Sequence, residues 1–217
     1  VDKELPLADI LNVINHSDSE ALFYSGAYEE ILINNIDALP KIKVFIGFDR
    51  IDDSKDGRFL SYARLLKQGY AMISDGDTSY ADQKSDPGAL KMLVYTSGTT
   101  GLSKGVMLSE HNLVSCVYYG LQISTVYDTC LSVLPYHHTY EAVCGILVGL
   151  HKHATICIND KLRAILNNLQ LYKPSYLYLV PLFTEMFYKK IWATAEKEKK
   201  DKALRILIKT SNFMRNR

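Results

Sequence analysis

The sequence predicts an α/β fold with a largely parallel sheet covered by helices on both faces. Three observations predict it. Short apolar runs rich in β-branched and aromatic residues alternate with amphipathic segments along almost the whole chain. The runs are apolar throughout, as strands buried on both faces are. The amphipathic segments follow the runs one by one, the order of βα units. Of the 217 residues, 47% are hydrophobic and 23% charged, which is enough for a sizeable core.

Leu7, Ile10, Leu11 and Ile14 recur at the spacing of one buried helical face. "EALFYS" (20–25) reads as a strand, "YEEILINNI" (28–36) as a helix and "IKVFIGF" (42–48) as a strand buried on both faces. "LSYARLLKQGYAM" (60–72) reads as a helix. The polar stretch "SDGDTSYADQKSDPG" (74–88) has few apolar anchors and is expected to be a long surface connection. It divides the chain into a first α/β portion, 1–88, and a second, 89–217.

In the second portion "ALKMLVYT" (89–96) and "GVMLS" (105–109) read as strands around a Gly/Thr loop. Ser109 is a good N-cap for a helix whose stripe is Leu113, Val117 and Leu121. "TCLSVLP" (129–135) reads as a strand, 140–150 as a helix, "HATICIN" (153–159) as a strand and 161–171 as a helix. "SYLYLVP" (175–181) is read as a strand ahead of a helix over 182–192. The charged run "EKEKKDK" (196–202) reads as a solvated turn or helix face, and an apolar run, "ALRILI", follows it.

The formal net charge is +1, so nothing global points to nucleic acid or an anionic membrane. No apolar run is long enough to span a membrane and no signal-like segment opens the chain, so a cytoplasmic location is expected. Cys116, Cys130, Cys144 and Cys157 form no C-x-x-C pair and sit in apolar contexts, so buried free thiols are expected. No metal-ligand cluster is legible, and His16, His151 and His153 carry no readable role.

The chemistry concentrates in "YTSGTTGLSKG" (95–105). Gly98, Gly101 and Gly105 permit close backbone approach, so that successive amides can converge on an anion. Thr96, Ser97, Thr99, Thr100 and Ser103 add hydroxyl donors, and Lys104 adds a compact charge suited to a polyphosphate. No carboxylate interrupts the run. It matches neither the Walker pattern nor G-x-G-x-x-G. A plain hairpin turn would have no use for five hydroxyls and a lysine.

"YTSGTTGLSKGVMLS" resembles the signature phosphate-binding loop of the adenylate-forming, AMP-binding superfamily, which includes acyl-CoA synthetases, luciferases and peptide-synthetase adenylation domains. Ser103 stands where a proline is common. Glu110 precedes His111 where most members place a histidine directly, and a carboxylate there suits the first turn of a helix. A second motif, "LPYHHTYE" (134–141), looks most like the long-chain fatty acyl-CoA synthetase branch. "LYKPSYLYLVPLFTEMFYKKI" (171–191), with Glu185 on its helix, also resembles that branch, and the first ninety residues resemble the segment that precedes the loop in the superfamily.

The resemblance implies part of the large N-terminal domain of an ATP-dependent acid–thiol ligase. Such an enzyme activates a fatty acid, or another small carboxylic acid, as acyl-AMP and passes it to coenzyme A. Residues 96–105 are then expected to hold the β- and γ-phosphates of ATP, with Thr96 helping to place Mg²⁺. His138 is expected beside the substrate carboxylate and α-phosphate as the catalytic residue, with His137 and Tyr140 toward the acid. A Tyr-Gly-x-Thr-Glu segment, a ribose-binding aspartate and a lysine-bearing C-terminal domain are not found in the sequence. The chain is therefore expected to be an internal piece that needs the rest of its parent and does not turn over alone. The alternatives are an adenylating enzyme for another acid or a carrier protein, and a non-catalytic nucleotide-binding module.

Overall fold

The structure, a computed structural model, describes residues 2, 4–96 and 103–215. They fall into two compact units, Val1–Cys116 and Val117–Arg217. The division lies inside a helix, and the polar stretch 74–88 belongs to the first unit.

In the first unit α1 (Leu7–His16) turns Val13 and Ile14 inward. Strands β1 (Ala21–Tyr24), β2 (Val44–Gly47) and β3 (Phe59–Ser61) form a parallel sheet in that order, with Phe45 opposite both Leu22 and Phe59. The β1–β2 crossover is α2 (Glu29–Asn34) between two 3₁₀ turns, so the predicted 28–36 helix is broken at both ends. The core joins Ile14, Tyr24, Leu32, Leu39, Ile42, Phe45 and Phe59, with Ile10, Leu11 and Leu22 packed against it. A Cβ at Gly47 would stand 2.8 Å from the Tyr24 hydroxyl, so only glycine lets that ring lie over β2.

The predicted 60–72 helix begins instead as β3. Ser61 closes that strand and opens α3 (Tyr62–Ser74) by accepting from the Arg64 amide at 3.4 Å. Residues 74–88 are exposed, as a surface connection should be. They lead to β4 (Leu90–Thr96) and β5 (Lys104–Ser109), an antiparallel hairpin. Ser109 then caps α4 (Glu110–Ile123) reciprocally: its amide donates to Asn112 Oδ1 at 2.9 Å and its hydroxyl accepts from the Asn112 amide at 3.3 Å.

In the second unit β6 (Thr129–Ser132) and β7 (Thr155–Ile158) pair in parallel. A helix leaves the turn after β6 as a π-helical segment, Glu141–Leu147, and continues as α5 (Val148–His151). After a 3₁₀ turn, α6 (Ile165–Tyr172) ends at Lys173, which has φ 45°. Residues 175–181 are not the predicted strand. They make one isolated bridge, Cys130 to Tyr176, and Leu179 and Val180 instead pack on the core of Leu131, Val133, Leu134 and Ile165. Hydrogen bonds of Ser175 and Tyr176 to Thr129 anchor the start of this segment, and apolar packing holds Leu179 and Val180. Helix α7 (Pro181–Lys197) adds Phe183 and Phe187 to that core and is followed by α8 (Asp201–Arg215). Of the cysteines only Cys130 is fully buried. Cys144 and Cys157 are half-buried and Cys116 is exposed, because it faces outward on α4.

Candidate functional site

Of the phosphate-loop residues, Thr96, Ser103, Lys104 and Gly105 are described, at the ends of the two hairpin strands. Thr96, the last residue of β4, pairs with Lys104, the first of β5, and both are exposed. Ser103 and Gly105 are half-buried, and Gly105 lies opposite Tyr95. The strand ladder thus brings Thr96 and Lys104 side by side at the mouth of the loop. Ser97, Gly98, Thr99, Thr100 and Gly101 lie outside the described residues. A Cβ at position 105 would meet Leu93 Cδ1 at 3.2 Å and Tyr95 Cζ at 3.4 Å, so the glycine makes room for the Tyr95 ring.

Tyr95 also ties the hairpin to α1. Its hydroxyl is 2.8 Å from His16 Nδ1, and the two rings meet edge-on with centroids 5.6 Å apart. Burial, with the Asp18 carboxylate adding to it, raises the Tyr95 hydroxyl above its ordinary pKa, so it stays a neutral partner for His16. The contact joins positions far apart in the chain, and sequence reasoning gave His16 no role.

The second unit holds the histidine motif. Val133 and Leu134 are buried and Pro135 through Tyr140 are exposed. The His137 and His138 rings lie 4.4 Å apart, tilted by 43°. His138 donates its amide to the Pro135 carbonyl at 3.1 Å, and its own carbonyl accepts from the Ala142 amide at 3.0 Å. Tyr140 packs edge-on against Tyr178, with centroids 5.7 Å apart, and burial raises its hydroxyl above the usual tyrosine range.

Below this turn lies a group the sequence did not place. Glu141, 1% exposed, accepts a hydrogen bond from the Ser132 hydroxyl. Burial pushes its carboxyl above the ordinary range, and the bond from Ser132 opposes that shift. One signal was available: Glu141 is the only charged residue in the apolar run "EAVCGILVGL". Glu185, the helix glutamate of the third motif, is exposed on α7. Among the described residues no group of three or more His, Cys, Asp or Glu side chains could hold a metal ion, and no helix is long and apolar enough to cross a membrane.

Parallel βα units with an antiparallel hairpin around a Thr/Ser/Gly/Lys run define the class: an α/β protein on the plan of adenylate-forming N-terminal domains. The fold is similar to the adenylation domain of a carboxylate reductase from Mycobacterium chelonae (TM-score 0.67, 20% identity, 91% of this chain and 33% of that one). The chain belongs to the AMP-binding enzyme family, whose model matches residues 1–212. It is 30% identical over 179 residues to fatty acyl-CoA synthetase B of Dictyostelium discoideum, covering 78% of this chain and 26% of that protein. It is 33% identical over 141 residues to a chloroplastic long-chain-fatty-acid–[acyl-carrier-protein] ligase of Arabidopsis thaliana, covering 59% of this chain and 18% of that protein. The chain thus spans about a quarter or less of these relatives' lengths.

Proposed function

We propose that the chain carries part of the adenylation machinery of an ATP-dependent acid–thiol ligase. In this reading the complete protein activates a fatty acid as acyl-AMP, with release of pyrophosphate, and transfers the acyl group to coenzyme A. The observation that carries it is the run 96–105, whose hydroxyls, glycines and lysine are matched to phosphate oxygens and whose mouth pairs Thr96 with Lys104.

Lys104, the hydroxyls of Ser97, Thr99, Thr100 and Ser103, and the amides at Gly98, Gly101 and Gly105 hold the β- and γ-phosphates and orient the leaving pyrophosphate. Mg²⁺, arriving with the nucleotide, would neutralise phosphate charge, and the exposed Thr96 hydroxyl is the group to help hold it. His138 donates a hydrogen bond to charge developing at the substrate carboxylate and α-phosphate. His137 and Tyr140 line the approach of the acid. The isolated chain is inactive in this reading, because the remaining groups lie in other parts of the protein, which works in the cytoplasm.

Two measurements test it. Acid-dependent ATP–pyrophosphate exchange by the complete protein should fall in Lys104→Ala, with KM for ATP rising by on the order of tenfold and KM for the acid within about threefold. Equal loss for both substrates would overturn the phosphate assignment. Pyrophosphate release by the isolated 217-residue chain should be undetectable, and clear turnover would overturn the need for the rest.

A second reading keeps the adenylation and changes the acceptor to an acyl carrier protein, favoured by the likeness to the Arabidopsis acyl-carrier-protein ligase. Offering the complete protein coenzyme A and an acyl carrier protein in parallel separates the two.

A further inference from the structure

We propose that Glu141 is the positioning residue for the histidine pair, acting through Ser132 and the first turn of the π-helical segment. The inference rests on the role given above to His138.

The exposed histidine turn is held at its two ends by buried groups. Ser132, 2% exposed, ends β6 on one side, and Glu141, 1% exposed, opens the π segment on the other. Their side-chain hydrogen bond closes the turn like a clasp. Two further links run from the clasp to the histidines. On the N-terminal side, the Ser132 hydroxyl is also 3.3 Å from the Tyr136 hydroxyl. Both oxygens accept from the Ser132 hydroxyl, whose single proton is shared between them. Ser132 thus holds the hydroxyl of Tyr136, the residue directly before His137, as well as the Glu141 carboxyl. On the C-terminal side, the amide of Ala142, next to Glu141, donates to the His138 carbonyl at 3.0 Å.

The space for the carboxyl is built into the helix. A Cβ at position 145 would stand 2.7 Å from both Glu141 Cδ and Oε1 and 2.9 Å from Oε2. Such approaches are not tolerated, so Gly145 is the residue that lets the carboxyl lie against the helix and reach Ser132. A glutamate needed only for solubility would point into solvent. This one is inside, bonded to Ser132, on a π segment, a helical form concentrated at functional sites.

The test uses the complete natural protein with Glu141→Ala and Glu141→Gln. NMR titration of the His137 and His138 imidazoles is one readout, and acid-dependent ATP–pyrophosphate exchange is the other. Glu141→Ala should displace both imidazole signals and lower kcat by about tenfold or more, with KM for ATP within about threefold. Glu141→Gln, which keeps the volume and an acceptor for Ser132, should restore kcat to within about threefold of the parent. In a His138→Ala background the further loss from Glu141→Ala should shrink to less than about twofold, because the two act as one unit.

Unmoved imidazole signals in Glu141→Ala, or undiminished loss in the His138→Ala background, would overturn the proposal. If Glu141→Ala does not fold, Ser132→Ala, which opens the clasp and leaves the carboxyl in place, must displace the imidazole signals, and unmoved signals there overturn it. If the parent protein shows no exchange at all, the functional reading fails, and the imidazole titration still decides whether Glu141 positions the pair.

Discussion

Cys130 and Cys116 show how far burial alone separates two chemically identical side chains. Cys130 is 1% exposed, and burial raises its thiol to about 11, whereas Cys116 is exposed on α4. The thiolate is the nucleophile, and with such a pKa only about one Cys130 in a thousand is ionised at pH 8. Iodoacetamide at pH 8 should therefore modify Cys116 readily and leave Cys130 intact until the chain is unfolded, as peptide mapping would show. Equal rates at the two positions would contradict the burial. The same shift has a sign for stability. The folded-state pKa lies above the unfolded one, near 9.0, so the stabilisation is complete below pH 9 and is lost as the pH rises through about 11. This contrast was only half legible, because all four cysteines share apolar neighbours in sequence and α4 turns Cys116 outward. Glu141 is the reverse case: a glutamate ordinarily reads as surface, and the apolar run that follows it was the one sign in the sequence that it lies inside.

Elements were legible where one pattern ruled and obscure where two overlapped. The apolar runs of β2 and β4 stand out, and the glycine- and hydroxyl-rich run between β4 and β5 names itself. β3 was lost because its three residues, Phe-Leu-Ser, run without a break into the amphipathic pattern of α3. Ser61 is the joint between the two. Its amide donates to Asp53 Oδ1 at 2.8 Å, its hydroxyl donates to the Arg50 carbonyl at 2.7 Å, and it caps α3 through the Arg64 amide. Fully buried, it leaves no water to replace those partners. Ser61→Ala should then cost about 1–3 kcal/mol, combining a lost cap with an orphaned carbonyl. Urea denaturation followed by circular dichroism would measure it, and a cost below about 0.5 kcal/mol would mean that the two hydroxyl bonds contribute little. Residues 177–180 show the opposite error. Their apolar, β-prone composition suits a strand, yet the one bridge lies before them at Tyr176, and Leu179 and Val180 pack on the core of Leu131 and Ile165. Composition reports burial before it reports hydrogen bonding.

At the scale of the molecule, the chain builds one core in each unit. Phe45, fully buried, stacks on Phe59 with centroids 4.8 Å apart in the first core, and Leu131, fully buried, centres the second. Neither cluster shares a residue with the other. Removing either side chain leaves a cavity lined by its own cluster, so the damage should begin locally. Phe45→Ala should cost about 3–5 kcal/mol and Leu131→Ala about 2–5 kcal/mol. Hydrogen exchange gives the finer reading, since amides open in cooperative groups that follow packing. In Phe45→Ala the amides of β1, β2 and β3 should exchange faster while those of β6 and β7 keep their protection, and Leu131→Ala should give the converse. If either substitution accelerates both sets equally, the two cores unfold as one.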